Sequence, residues 1–98
     1  MTETPIEFDR RAENDVTAAV TWYDQHGSNV GDGFIERLEE VIERFSVHPR
    51  LYPQIEGEIR RALMPQYPYA IYYREDKKAI RVIAVLHTSR RPDYWKDR

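Results

Sequence analysis

Tyr69-Ala70-Ile71-Tyr72-Tyr73-Arg74 and Ala79-Ile80-Arg81-Val82-Ile83-Ala84-Val85-Leu86-His87, joined by Glu75-Asp76-Lys77-Lys78, decide the fold. Both arms are rich in β-branched and aromatic residues, which pack well on a pleated surface. The four polar residues between them predict a hairpin connection. Strict alternation sends Ile80, Val82, Ala84 and Leu86 to one face and Arg81, Ile83, Val85 and His87 to the other. The second face is also largely apolar, which predicts a central strand partly covered on both sides. Just upstream, Ile59, Arg61 and Leu63 alternate with Arg60, Ala62 and Met64, and Pro65 and Pro68 bracket the break that follows. The second half of the chain is therefore three strands.

The first half has a different period. Ile6-Glu7-Phe8 alternates as a short strand does, and Asp9 stands where its carboxylate can cap a helix. Ala12, Val16, Ala19, Val20 and Tyr23 then recur at helical spacing, predicting a helix from Arg10 to about His26. Gly27 is expected to close it in the left-handed C′ conformation. A second helix begins within Asn29–Asp32, with Phe34, Leu38, Val41, Ile42 and Phe45 on one face. Burying each such side chain is worth roughly 1.5–3 kcal/mol. Glu36, Arg37, Glu39, Glu40, Glu43 and Arg44 form its solvated face, and His48-Pro49 stops it. The short Gly27–Gly33 connection makes the two helices an antiparallel hairpin. The fold class is α+β: a short N-terminal strand, the helical hairpin, then a three-stranded antiparallel sheet (β-α-α-β-β-β). The first strand joins the sheet beside a later strand that the sequence does not specify.

With 98 residues, residues 1–98 form a single domain with one core. At 41% hydrophobic and 33% charged residues the composition is that of a foldable chain and not a disordered one. No apolar run is long enough to span a membrane, and the N-terminus lacks the pattern of a signal peptide, so a cytoplasmic location is expected. The absence of cysteine excludes disulfides and thiolate metal sites. The net charge of −2 hides a division. Residues 1–58 carry 13 Asp/Glu and 5 Lys/Arg, a net −8, whereas residues 59–98 carry 4 and 10, a net +6. Either the halves neutralise each other or the second half meets an anionic partner.

His26, His48 and His87 have no partners at ligand spacing, so no metal is expected. Gly27, Gly31 and Gly33 do not form a phosphate loop, no serine sits in a nucleophile elbow, and no cofactor is expected. Arg60, Arg61, Arg81, Arg90 and Arg91 are candidates to converge on one anion-binding surface, since guanidinium binds phosphate or carboxylate in a bidentate fork. His87, at a strand end, has the side chain suited to general acid–base work near neutrality. Tyr72, Tyr73, Tyr94 and Trp95 can stack on bases. The alternative is structural: tyrosines packing the sheet, arginines snorkelling at its rim and a satisfied His87.

The ordered series Trp22-Tyr23, Gly31, Phe34, Pro49, Tyr52-Pro53, Ile59-Arg60-Arg61, Tyr67-Pro68-Tyr69, Ile71-Tyr72-Tyr73, Ile83-Ala84-Val85-Leu86-His87 and Arg91-Pro92…Trp95 resembles the RelE/ParE toxin superfamily. These proteins are the toxins of bacterial type II toxin–antitoxin modules. The likeness runs from Phe8 to Trp95 and implies a RelE/ParE-like fold. It also implies two alternative activities. RelE-like members are ribosome-dependent mRNA endonucleases; that reading makes His87, Arg61, Arg90 and Tyr94 the catalytic set, with ribosome and mRNA as partners. ParE-like members bind and poison DNA gyrase without catalysis. The arginine that begins the third strand in the nucleases is Tyr69 here, and Tyr52–Glu58 contains Glu56 and Glu58 in place of a lysine cluster. Loss of the cations that balance developing phosphate charge favours the ParE-like reading. The target-binding residues are then Arg60, Arg61, Arg81, Arg90, Arg91 and Trp95. The resemblance further implies a cognate antitoxin, whose amphipathic, acidic C-terminal segment suits a groove beside the helical hairpin and a basic sheet edge. Plasmid stabilization and growth inhibition are the expected cellular roles.

Overall fold

The computed structural model describes residues 4–27, 30–89 and 94–97, with side chains described at Trp95 and Lys96 in the last of these. Chain order is β1 (Ile6–Phe8), α1 (Arg10–Asp24), α2 (Val30–Val47), β2 (Gln54–Glu56), β3 (Ile59–Leu63), β4 (Tyr69–Asp76), β5 (Ala79–His87) and a terminal 3₁₀ turn (Tyr94–Asp97). The sheet order is β1-β5-β4-β3-β2. β1 lies parallel to β5, with Ile6 opposite Ile80 and Phe8 opposite Val82. The other neighbours are antiparallel. The strand–helix–helix–strand order of the sequence reading holds, and the undetermined partner of the first strand is β5.

Asp9 starts α1 as expected: its backbone is extended and its carboxylate accepts the Arg11 N–H at 2.9 Å. The helix ends two residues earlier than predicted, with Gln25 as its cap. Gly27 has φ +158°, an opened conformation and not the left-handed one expected of it. The turn is closed instead by Asp24, whose Oδ1 accepts the Gly31 N–H at 3.1 Å and so supplies an acceptor at the start of α2. Gly31 is required there. A Cβ would meet the Asp24 carboxylate, and would lie 2.9 Å from Val20 Cγ1.

α2 buries Phe34, Leu38, Val41 and Phe45 against one face of the sheet, where Ala62, Met64, Ile71, Tyr73, Ile80, Val82 and Val85 meet them. Tyr73 stacks flat on Phe45 at 3.9 Å between centroids, and its hydroxyl donates to the Pro49 carbonyl at 2.9 Å. The opposite, outer face carries a second apolar layer of Ala70, Tyr72, Ile83, Ala84, Leu86 and Trp95. Trp95 reaches it from the terminal 3₁₀ turn, and Lys96 pairs with Glu56 of β2 at 3.2 Å. β5 is thus covered on both sides, as its composition predicted.

The sheet differs from the sequence reading in three details. A short strand, β2, precedes the three expected and pairs with β3 through the Gly57-Glu58 turn, where Gly57 has φ +54°. All three of its residues are exposed, so it has no alternation to read. The second difference is one of parity. Tyr72 faces Ala84, but Tyr73 faces Val82, so the register slips by one at Ile83. Ile80 and Val82 point to the helices, and after the slip so do Val85 and His87. Ala84 and Leu86 therefore lie on the outer face with Ile83, not with Ile80 and Val82. Asp15 of α1 meets the strand just past the slip, its Oδ2 accepting the Val85 N–H at 3.0 Å. The β4–β5 connection is also tighter than expected. Lys77-Lys78 alone make the turn, with Lys77 at φ +30°, while Glu75 and Asp76 pair with Ile80 and Ala79.

Candidate functional site

Two surfaces concentrate chemistry. The first is the outer face of the sheet. Arg61 of β3, opposite Tyr72 of β4, holds its guanidinium carbon 5.9 Å from the Tyr72 ring centroid. Trp95 stacks on the same ring at 5.9 Å and is 8% exposed. Among the described residues, Arg61 Nε and Trp95 Nε1 are buried donors without a hydrogen-bond partner. Two residues further along β4, Arg74 faces Arg81 of β5. Like charges directly opposite across a ladder are unfavourable. Arg81 is partly neutralised by Asp9 at 3.4 Å and Glu7 at 3.8 Å, while Arg74 is exposed. The Asp9 carboxyl is held below the usual carboxylate range, chiefly by the Arg11 N–H, with the Arg11 and Arg81 charges adding to this against the effect of burial. The face is therefore aromatic at one end and basic at the other.

The second surface is a groove of about 600 Å³ where the C-terminal end of α1 overhangs the sheet. Trp22, Tyr23, Pro68, Tyr69, His87 and Ser89 line it. His87 Nδ1 accepts from the Ser89 N–H at 3.0 Å and lies 2.8 Å from the Ser89 hydroxyl. The Tyr23 phenol is pushed up from its ordinary value, mainly by burial and further by Tyr69 and Tyr67.

The predicted site residues do not converge. Arg61, Arg81 and Trp95 share the outer face. His87 lies on the helix-facing side, edge-on to Tyr69 with centroids 5.3 Å apart. The register slip at Ile83 puts it on the opposite face from Arg81, where strict alternation had put the two together. Arg60 also faces the helices, with Nη1 donating to the Tyr52 carbonyl at 2.7 Å and to the Arg50 carbonyl at 3.4 Å. Arg90 and Arg91 lie outside the described residues, as does the Tyr94 side chain. Arg74, which sequence reasoning passed over, belongs to the outer basic row. Its alternation with Tyr72 along β4 was the available signal. Among the described residues no group of three or more His, Asp or Glu is placed to hold a metal, and no helix is long and apolar enough to cross a membrane.

The fold, a helical hairpin laid on one face of a mainly antiparallel sheet, is similar to that of a solved chain from the chromosomal ParDE TA system of P. aeruginosa. The two superpose with a TM-score of 0.74 at 16% identity, over 87% of this chain and 96% of that one. The family model for the ParE toxin of type II toxin–antitoxin system, parDE, matches residues 6–92, and the chain belongs to that family. No curated protein matches it in sequence.

Proposed function

We propose that this chain is a single toxin domain that inhibits bacterial growth by binding DNA gyrase without catalysis, and that a cognate antitoxin neutralises it in the cytoplasm. Membership of the ParE toxin family supports the toxin reading. The observation that carries the non-catalytic reading is the separation of Arg61 from His87 by the thickness of the sheet. A nuclease needs its phosphate-binding cation and its acid–base group on the same scissile linkage, within hydrogen-bond reach of it. Arg61 and His87 cannot both meet that demand from opposite faces. Tyr69, where the nucleases carry arginine, supports the same reading.

The outer face is the proposed meeting surface for gyrase, through Arg61, Arg74 and Arg81, with Trp95 buried against Tyr72 as their support and Arg90 and Arg91 as further contacts. The Arg60 guanidinium, held by two carbonyls, orders the Pro49–Pro53 loop. The antitoxin's acidic segment is proposed to cover the same basic face, so that neutralisation is competition for one surface. Maintenance of the DNA element that encodes the pair, plasmid stabilization in the usual case, follows from such an arrangement.

The test is a supercoiling assay with purified gyrase. Inhibition by the chain, relieved by its antitoxin and lost in an Arg61→Glu/Arg74→Glu variant, is the expected outcome. The reading is overturned if excess chain leaves supercoiling intact while cutting ribosome-bound mRNA in a reaction that disappears in His87→Ala.

A further inference from the structure

The groove at the end of α1 takes no part in the proposal above, yet it is the more built of the two surfaces. Its rings are set at steep angles to one another. Trp22 meets Tyr23 at 90° with centroids 5.0 Å apart, Tyr23 meets Tyr69 at 56° and 6.2 Å, and Tyr69 meets His87 at 75° and 5.3 Å. A core packs rings this way without leaving a space beside them, but here they line an open groove and Trp22 is 51% exposed. The walls are also held in place. His26 stacks on the Trp22 indole at 3.9 Å, and its Nδ1–H donates to the Trp22 carbonyl at 2.6 Å. The Ser89 N–H occupies His87 Nδ1, which leaves the proton of the neutral ring on Nε2.

We propose that this groove is a receptor for one arginine side chain of a partner protein. An open groove lined with aromatic rings attracts a cation to the ring surface it exposes, here chiefly the half-exposed Trp22 indole, since Tyr23 and Tyr69 also pack against Phe34. The charge of the chain segment that carries Trp22 and Tyr23 agrees. None of the six described lining residues is a Lys or Arg, and the last turn of α1 carries no basic residue. From Ala12 to Glu36 the chain has Glu13, Asp15, Asp24, Asp32 and Glu36 and not one Lys or Arg. The carbonyl end of α1, beside the groove, adds a partial negative charge. Guanidinium fits better than ammonium, because its flat face can lie on Trp22 or Tyr69 while its edge keeps donors for Ser89 and the tyrosine hydroxyls. The inference goes beyond the toxin reading, since it concerns any protein that presents the arginine, and gyrase inhibition is measured independently of it.

The experiment is an amide-resolved NMR titration of the ¹⁵N-labelled full chain with acetyl-Gly-Arg-Gly-amide, and in parallel with the norleucine analogue. The arginine peptide is expected to shift the amides of Trp22, Tyr69, His87 and Ser89 at millimolar concentration, the range of a single side-chain contact. The norleucine peptide should bind at least fivefold more weakly. Trp22→Ala should weaken the arginine peptide tenfold or more, with the amide spectrum otherwise preserved because Trp22 is half exposed; Trp22→Lys should abolish binding by repulsion. A parallel titration of Arg90→Ala/Arg91→Ala removes the chain's own tail arginines as competitors. Equal binding of the norleucine peptide would mean a merely apolar groove and overturn the proposal. So would the absence of shifts with both the natural chain and the tail variant up to about 50 mM peptide.

Discussion

Asp9 and Asp15 are both acids near the start of α1, and each does a different job. Asp9 was legible because its signal is local: an acid directly before a helical period, whose carboxylate takes the Arg11 N–H. Asp15 was not legible, because its partner, the Val85 N–H, lies seventy positions away on β5. Asp15→Ala leaves that part-buried donor without its acceptor and should destabilise the chain by about 1–2 kcal/mol. Asp15→Asn, which keeps an acceptor oxygen, should lose less; urea denaturation of both variants checks the order. Asp9 makes a pH prediction. Its folded carboxyl titrates below the unfolded value of about 3.9, so it contributes stability above that pH and loses it as pH falls further. In Asp9→Asn the fall in stability between about pH 4 and pH 2 should be shallower than in the natural chain. Equal slopes in acid denaturation curves would refute the assignment.

At the scale of elements, the helices were readable almost to the residue and the sheet was not. Phe34, Leu38, Val41 and Phe45 repeat often enough to define a face, and Pro49 supplies the stop. In β5, by contrast, every residue between Arg81 and His87 is apolar, so no polar position marks the slip at Ile83. Strict alternation therefore places Val85 and His87 one position out, on the outer face. β2 was missed for the opposite reason, since Gln54, Ile55 and Glu56 are all exposed and bury nothing. Where β4 meets α2, the packing itself can be titrated. Burial pushes the Tyr73 phenol up to about 12, with the Arg60 charge pulling the other way. The folded state thus holds its proton more tightly than the unfolded chain, whose phenol titrates near 10. This contribution is complete below pH ~10 and is lost as pH rises toward 12. Tyr73→Phe should cost about 1 kcal/mol at pH 8, where it loses the bond to the Pro49 carbonyl. The variant's deficit should shrink between pH 10 and about 12, as the natural chain weakens and Phe does not. A constant deficit over that interval, followed by denaturant titration, would contradict the burial argument.

Across the whole molecule, the −8 and +6 halves of the sequence do not simply cancel. Arg81 is engaged by Glu7 and Asp9, and Lys96 by Glu56, which are contacts between the halves. Arg74 is different. It stands exposed across the ladder from Arg81, and among the described residues it forms no ion pair. A like-charge pair directly opposite on a sheet lowers stability by a few tenths of a kcal/mol and has no structural use. Such an arrangement is intelligible if the face must stay positive for a partner. Arg74→Thr, with its β-branched side chain on an exposed strand position, should therefore raise stability by about 0.5 kcal/mol. The same substitution should weaken binding to an acidic partner segment, and the loss should be largest at low ionic strength, where the screening length grows to about 30 Å. Stability is read from thermal unfolding and affinity from titration with the antitoxin at two salt concentrations. If Arg74→Thr stabilised the chain and left antitoxin affinity unchanged at both, the outer face would be basic for no reason of binding, and the site would have to be sought at the aromatic groove alone.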